Sequence, residues 1–204
     1  MSGAGREEPR GPRPPAGVVR RLRAAGCVYA EEEAALLVAQ AGGAAELDDL
    51  VARRVGGLPL EQVLGWAQFC GVRVAVEPGV FVPRRRSEFL ARTAAAVTPR
   101  GGVVVDLCCG SGALAVALSA AVPDLEVHAV DSDPVAVRCA RGNLPGAQVL
   151  LGDLDAPLPD RLRGRVDVLV AVVPYVPSGE VALMPAEARL HEPRAALDGG
   201  ADGL

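Results

Sequence analysis

From Val103 onward the chain alternates short apolar runs with stretches of helical length, and acids recur where the apolar runs stop. Val103–Leu107 is an almost continuous apolar run carrying Asp106 near its end, and Ala113–Ala121 reads as an alanine-rich helix. Residues 126–130 form a second run closed by Asp131, and residues 134–142 read as a helix with Pro134 in its first turn. Gln148–Leu151 is a third strand and residues 166–173 a fourth. Joined through helices, these strands call for a parallel sheet with right-handed crossovers. Ligands of such sheets bind beyond the carboxyl ends of the strands. The acids stand at those ends.

Upstream the pattern is different. Residues 1–16 (MSGAGREEPRGPRPPA) offer almost nothing to bury and predict a disordered tail. Residues 17–66 predict a small helical domain. Val28, Ala35, Leu36, Val38 and Ala39 suit one helix, Leu47, Leu50, Val51 and Val55 suit another, and Gly42 and Gly43 separate them. Residues 67–90 predict a β-hairpin linker. Phe69, Val72, Val74 and Val76 alternate there, and Val80, Phe81 and Val82 follow a Glu-Pro-Gly turn. Ser87 and Glu88 open a helix running through Val97, and residues 91–204 complete the sheet domain.

Composition narrows the classes of function. Half of the residues are hydrophobic but only 3% are aromatic, so the core must be built from Ala, Val and Leu. A net charge of -4 argues against strong non-specific binding to nucleic acid. All 21 basic residues are arginines. No apolar run reaches the roughly 18 to 20 residues of a membrane span, and the N-terminus lacks the order of a signal peptide. The five cysteines are odd in number and none has CxxC spacing. They predict reduced thiols of a cytoplasmic protein, with no metal site.

Three strand ends carry the chemistry. The first is Asp106-Leu107-Cys108-Cys109-Gly110-Ser111-Gly112, after a strand and before a helix, where glycine permits close approach of a ligand to the backbone. It lacks the third glycine of a dinucleotide fingerprint. The second is Asp131, whose carboxylate can accept both hydroxyls of a ribose. Asp131 can also be read as part of a helix start, although Ser132 or Asp133 could supply that cap instead. The third is Gly152-Asp153-Leu154, placed to meet an adenine amino group.

On these residues the chain resembles the class I S-adenosylmethionine (SAM)-dependent methyltransferases, and more narrowly the HemK/PrmC family. That family methylates the GGQ glutamine of peptide chain release factors. The resemblance spans residues 58–204 and includes LPLEQVLG at 58–65, Phe69, VFVPR at 80–84 and Ser87-Glu88. Its most specific part is HEPRAALDGGADGL at 191–204, similar to the family's EP-x-x-AL-x-GG-x-DGL. The resemblance implies an α/β, Rossmann-like class I methyltransferase sheet. SAM would be held by Asp106, Cys108, Cys109, Gly110, Ser111, Gly112, Asp131, Asp153 and Leu154. Phe81, Pro83 and Arg84 would meet the substrate, a release factor.

The family's Asn-Pro-Pro-Tyr platform falls on Val172, Val173, Pro174 and Tyr175, so valine stands where a side-chain acceptor is expected. Valine cannot accept a hydrogen bond, which predicts retained SAM binding with weakened transfer. The resemblance also stops short of the family's full sheet. This predicts a C-terminally truncated domain with an open edge at the fourth strand, left by a fragment or covered by a partner. Two rival functions share the motifs: an N6-adenine nucleic-acid methyltransferase, and a SAM-binding protein without turnover.

Overall fold

The computed structural model describes residues 14–203. The expected tail at 1–16 therefore falls mostly outside the described residues, and Ala16 already belongs to a helix. The chain forms two compact units that divide between Leu64 and Gly65.

The first unit contains α1 (Ala16–Ala24), α2 (Ala30–Gln40), α3 (Ala44–Val55) and α4 (Leu60–Leu64). Helix α2 begins within two residues of the position where the apolar spacing starts. Helices α1 and α4 go beyond the two helices that the apolar spacing predicts. In α1 the arginines hide the signal, since only Val18 and Leu22 point inward. Leu22, Ala34, Leu37, Leu50 and Val51 fill the small core. Across it the buried Glu33 carboxylate receives Arg54 Nε at 2.7 Å, while Arg54 Nη1 also donates to the Leu58 carbonyl at 2.9 Å. A buried ion pair is tolerated when its remaining donors are used in this way.

The second unit opens with a hairpin of β1 (Trp66–Phe69) and β2 (Val72–Ala75). Its turn is Cys70-Gly71, both with positive φ (48° and 82°), the combination a two-residue turn needs to follow strand twist. The expected pairing of Val80, Phe81 and Val82 beyond Glu77-Pro78-Gly79 is not made. Val80 and Val82 are buried, but the segment forms no strand. Its apolar spacing reflects side chains plugged inward from an extended loop. Helix α5 (Ser87–Val97) follows.

The main sheet contains β3 (Val103–Leu107), β4 (Glu126–Asp131), β5 (Gln148–Leu151) and β6 (Val168–Ala171), all parallel, in the order β5-β4-β3-β6. Helices α6 (Ala113–Ala121) and α7 (Pro134–Asn143) make the crossovers. Strand β6 is shorter than the expected 166–173 because its partner ends: Leu107 pairs with Ala171, so Val172 and Val173 have left the ladder. On its other side β6 has no neighbouring strand among the described residues. Packing α6 on the sheet buries Val104, Leu114, Leu118 and Val170 together with Phe69 and Val74 of the hairpin. A second cluster joins Ala115, Val127, Ala129, Val137 and Ala140. Small aliphatic side chains thus do the work that aromatic residues do in other cores. His128 is fully buried in β4, with Nε2 at 2.9 Å from Glu126. After β6 come α8 (Ala186–His191) and a final turn-rich segment. Among the described residues no helix is long and apolar enough to cross a membrane.

Candidate active site

The carboxyl ends of β3 and β4 and the segment after β6 open into one cavity. Its floor is the loop between β3 and α6. Cys108, Gly110 and Gly112 all take positive φ (54°, 55° and 78°), which coils the backbone tightly above the sheet. Gly112 caps α6, and a Cβ there would lie 2.8 Å from Leu144 Cδ1. The backbone angle favours glycine at this position, and any side chain would also push the end of Leu144 aside.

Asp131 is pinned from both sides. One carboxylate oxygen accepts from the Gly110 amide at 2.8 Å and the other from the Asp133 amide at 2.9 Å. Asp133, not Asp131, caps α7, accepting from Val135 N at 2.8 Å. The carboxylate is therefore fixed beside the glycine loop with lone pairs left for a diol.

Asp106 is buried in the cavity floor. Its Oδ2 accepts from the Ala115 amide at 3.2 Å, while Oδ1 has no partner. Burial pushes its carboxyl up to about 7; the Ala115 amide opposes the shift and the neighbouring Asp131 adds to it. An unpartnered, buried carboxylate oxygen in the cavity floor suits a cationic ligand group. A diol acceptor, a coiled glycine backbone and a buried acid form a donor set that fits the ribose and the ammonium group of SAM. Burial first, and then the carboxylates of Asp131, Asp106 and Asp153, push the Cys108 thiol up, so this half-buried sulfur is held neutral. The Cys109 thiol is driven up more strongly by burial and packs in the core with Ala115 and Val137. Cys109 instead serves the loop through its backbone, donating to Val130 O and accepting from Gly112 N.

The opposite wall comes from separate parts of the chain. Phe81, Pro83 and Arg84 line it, joined by Val172 and Pro174 and by Pro193, Ala195 and Ala196. Arg84 is not a free cation. Its Nη2 lies 2.5 Å from Glu192, whose side chain is fully buried, and its guanidinium stacks 4.6 Å from the Phe81 ring. The other Glu192 oxygen accepts from Val82 N at 3.4 Å. Glu192, unassigned from the sequence although it stands in the late motif, ties that motif to the Pro-Arg loop.

The glycines of the same motif brace the platform. Val176 N donates to Leu197 O, and Gly199 N donates back to Val176 O. A Cβ on Gly199 would lie 2.9 Å from Pro174 O, and one on Gly203, where φ is 77°, would lie 2.5 Å from Tyr175 O. Backbone contact, invisible in a list of side chains, explains why small residues recur here.

Of the residues expected to form the site, Asp106, Cys108, Cys109, Gly110, Ser111, Asp131, Phe81, Pro83, Arg84, Val172 and Pro174 meet in the cavity. Gly112 stands behind them as the helix cap. Asp153, Leu154, Val173 and Tyr175 do not line the cavity. Leu154 and Val173 are about half exposed, at 48% and 45%, and Tyr175 stacks under Arg86 at 5.2 Å. The structure adds Ser132, Asp133 and Ala136 from the start of α7, and Pro193, Ala195 and Ala196. The sequence signal for the second group was the EP-x-x-AL motif itself. The first had none beyond following Asp131.

Residues 71–200 match the family described as "Methyltransferase small domain". The chain is 41% identical to a release factor glutamine methyltransferase of Geobacter sulfurreducens, over 76% of this chain and 55% of that protein. It is 43% identical to one of Mycolicibacterium smegmatis, over 78% of this chain and 58% of that protein. It is also 39% identical to a 4-amino-L-phenylalanine/4-methylamino-L-phenylalanine methyltransferase of Streptomyces pristinaespiralis, over 76% of this chain and 55% of that protein. The chain thus spans a little over half the length of these relatives. With the parallel sheet, the glycine loop and the paired acids in place, the chain belongs to the Methyltransferase small domain family.

Proposed function

We propose that this chain is the SAM-binding part of a protein-(glutamine-N5) methyltransferase that acts on the GGQ glutamine of a peptide chain release factor. Support comes from one cavity whose two walls divide the labour. On one side stand Asp106, the glycine loop and Asp131. On the other stand an apolar slot of Phe81, Pro83, Pro174 and Pro193 and the clamped Arg84. The names of the relatives point to the same chemistry.

In this assignment Asp131 accepts the two ribose hydroxyls, and Asp106 faces the ammonium group through its unpartnered oxygen. Asp153 and Leu154, just after β5, lie outside the cavity lining and are assigned to the adenine by the family resemblance alone. SAM, when bound, supplies a methyl group on a sulfonium. A carboxamide nitrogen is a poor nucleophile because its lone pair is delocalised. The protein's task is therefore to hold it in line and to accept its N–H groups. Pro174 provides a flat support in the cavity, and the family resemblance adds the Tyr175 ring and, as an acceptor, the Val173 carbonyl, which lie outside the cavity lining. Val172 provides none, which leaves one N–H unpaired at a cost of roughly 1 to 3 kcal/mol.

The test is methyl transfer from labelled SAM to a release factor and to its GGQ-to-GGA form. Labelling confined to the GGQ protein is expected. Equal labelling of both, or labelling of RNA or DNA in their place, removes the assignment. Val172 favours a second reading, a SAM-binding chain without turnover. A Val172→Asn variant decides between them: restored transfer marks an enzyme lacking one acceptor, and continued silence with intact SAM binding marks a binding protein.

A further inference from the structure

Asn143, the last residue of α7, lies outside the cavity wall yet touches the loop that forms its floor. Its Oδ1 accepts from the Ala75 amide at 2.9 Å. Its Nδ2 donates to the Ala75 carbonyl at 2.9 Å and to the Ser111 carbonyl at 2.9 Å. One flat carboxamide thus satisfies both main-chain groups of the last residue of β2 and holds the peptide that precedes Gly112. The next residue adds a second hold, since Leu144 Cδ1 presses where a Cβ of Gly112 would stand. From Ser111 the connection is one residue long to Gly110, whose amide fixes Asp131 at 2.8 Å. Cys139, one turn earlier on the same helix, also reaches the Ala75 carbonyl, at 3.3 Å.

We propose that Asn143 is a positioning residue for the cofactor loop, setting the Ser111 carbonyl and registering the loop against the edge of the hairpin. The inference rests on the assignment of residues 106–112 to SAM. It requires the amide group in particular. Two carbonyl oxygens must be met by two N–H bonds and one N–H by an oxygen, and among side chains of this size only asparagine offers both on one plane.

The test compares Asn143→Ala and Asn143→Asp in the full chain by calorimetric titration with SAM, thermal melting and peptide-mapped alkylation of the Cys108 thiol. If Asn143 positions the loop, alanine weakens SAM binding about 10-fold through the lost bonds. Aspartate weakens it further, since its carboxylate faces two carbonyls with no hydrogen to offer. Cys108 alkylation without SAM should accelerate in the same order. A residue that merely fills space gives the opposite ranking, with the isosteric aspartate nearest to the wild type. That ranking, or lowered melting temperatures with unchanged affinity and alkylation, overturns the proposal. If a variant fails to fold, Asn143→Ser keeps one donor and one acceptor and is expected to fall between wild type and alanine. If the wild-type chain gives no binding heat, the SAM assignment fails, and the alkylation order alone still decides whether Asn143 sets the loop.

Discussion

The cavity wall that carries Asp106, Gly110 and Asp131 comes from one stretch, residues 106–133, in which strand, loop, helix and strand follow without a break. The facing wall is gathered from three distant places: the Val80–Arg84 loop, the Val172–Tyr175 segment and the Glu192–Gly203 tail. The first wall is held by backbone conformation and short hydrogen bonds. The second is held by tertiary contacts, namely a buried carboxylate on Arg84 and two glycines against the backbone of Pro174 and Tyr175. A locally encoded binding loop needs few distant braces, here Asn143 and Leu144. A wall assembled from a distance depends on every piece that braces it. Donor binding and acceptor alignment should therefore fail separately.

The sharpest way to break that division is at Gly112. Valine there must adopt a positive φ that β-branched residues resist and must also displace Leu144. Titration with SAM should show a loss of about 100-fold in affinity. On the other wall, Gly203→Val drives a side chain into the Tyr175 carbonyl. Methyl transfer should fall about 30-fold while calorimetry finds SAM affinity unchanged. If SAM binding fell equally, the two walls would be one unit and the contrast would be lost.

A pH series sharpens the comparison further. The Asp106 carboxyl is raised to about 7, so the folded chain takes up more protons than the unfolded chain between roughly pH 4 and 7. Its contribution to stability is greatest in the acid part of that window and declines as pH rises through it. A cationic ligand group prefers the ionised form, so SAM affinity should rise about tenfold at most between pH 6 and 8. The Asp106→Asn variant should show neither slope, and a retained slope would assign it to another group. The smallest effect belongs to Arg84→Ala, which takes the arginine from the buried Glu192 carboxylate while leaving its Val82 amide bond. Arg84 is itself 30% exposed, so water can reach the gap and the loss should be about 1 kcal/mol in chemical denaturation. Its transfer rate should drop more than its SAM affinity.

The legibility of the chain follows the same line. Helix α6 and strand β5 have the bounds that the apolar pattern gives, because each run is uninterrupted and fully flanked by turn residues. The hairpin was legible in kind but not in its turn: Cys70-Gly71 adopts a conformation that nothing in cysteine's composition advertises. Helix α1 leaves little trace in the sequence because its buried stripe is only Val18 and Leu22 among arginines.

The sequence by itself determined the strand ends and what they carry. Order along the chain and the period of the apolar residues fix a parallel βαβ unit, and with it the placing of Asp106, the glycine loop and Asp131 on one edge. Only the tertiary structure decided that Arg84 is spent on Glu192 and that Gly199 and Gly203 serve the backbone of Pro174 and Tyr175. It likewise decided that Asp133 caps α7 so that Asp131 stays available. Those pairings join residues far apart in sequence or choose between adjacent acids. Spacing along a chain carries no information on which of several chemically similar partners will come within hydrogen-bonding distance; packing does.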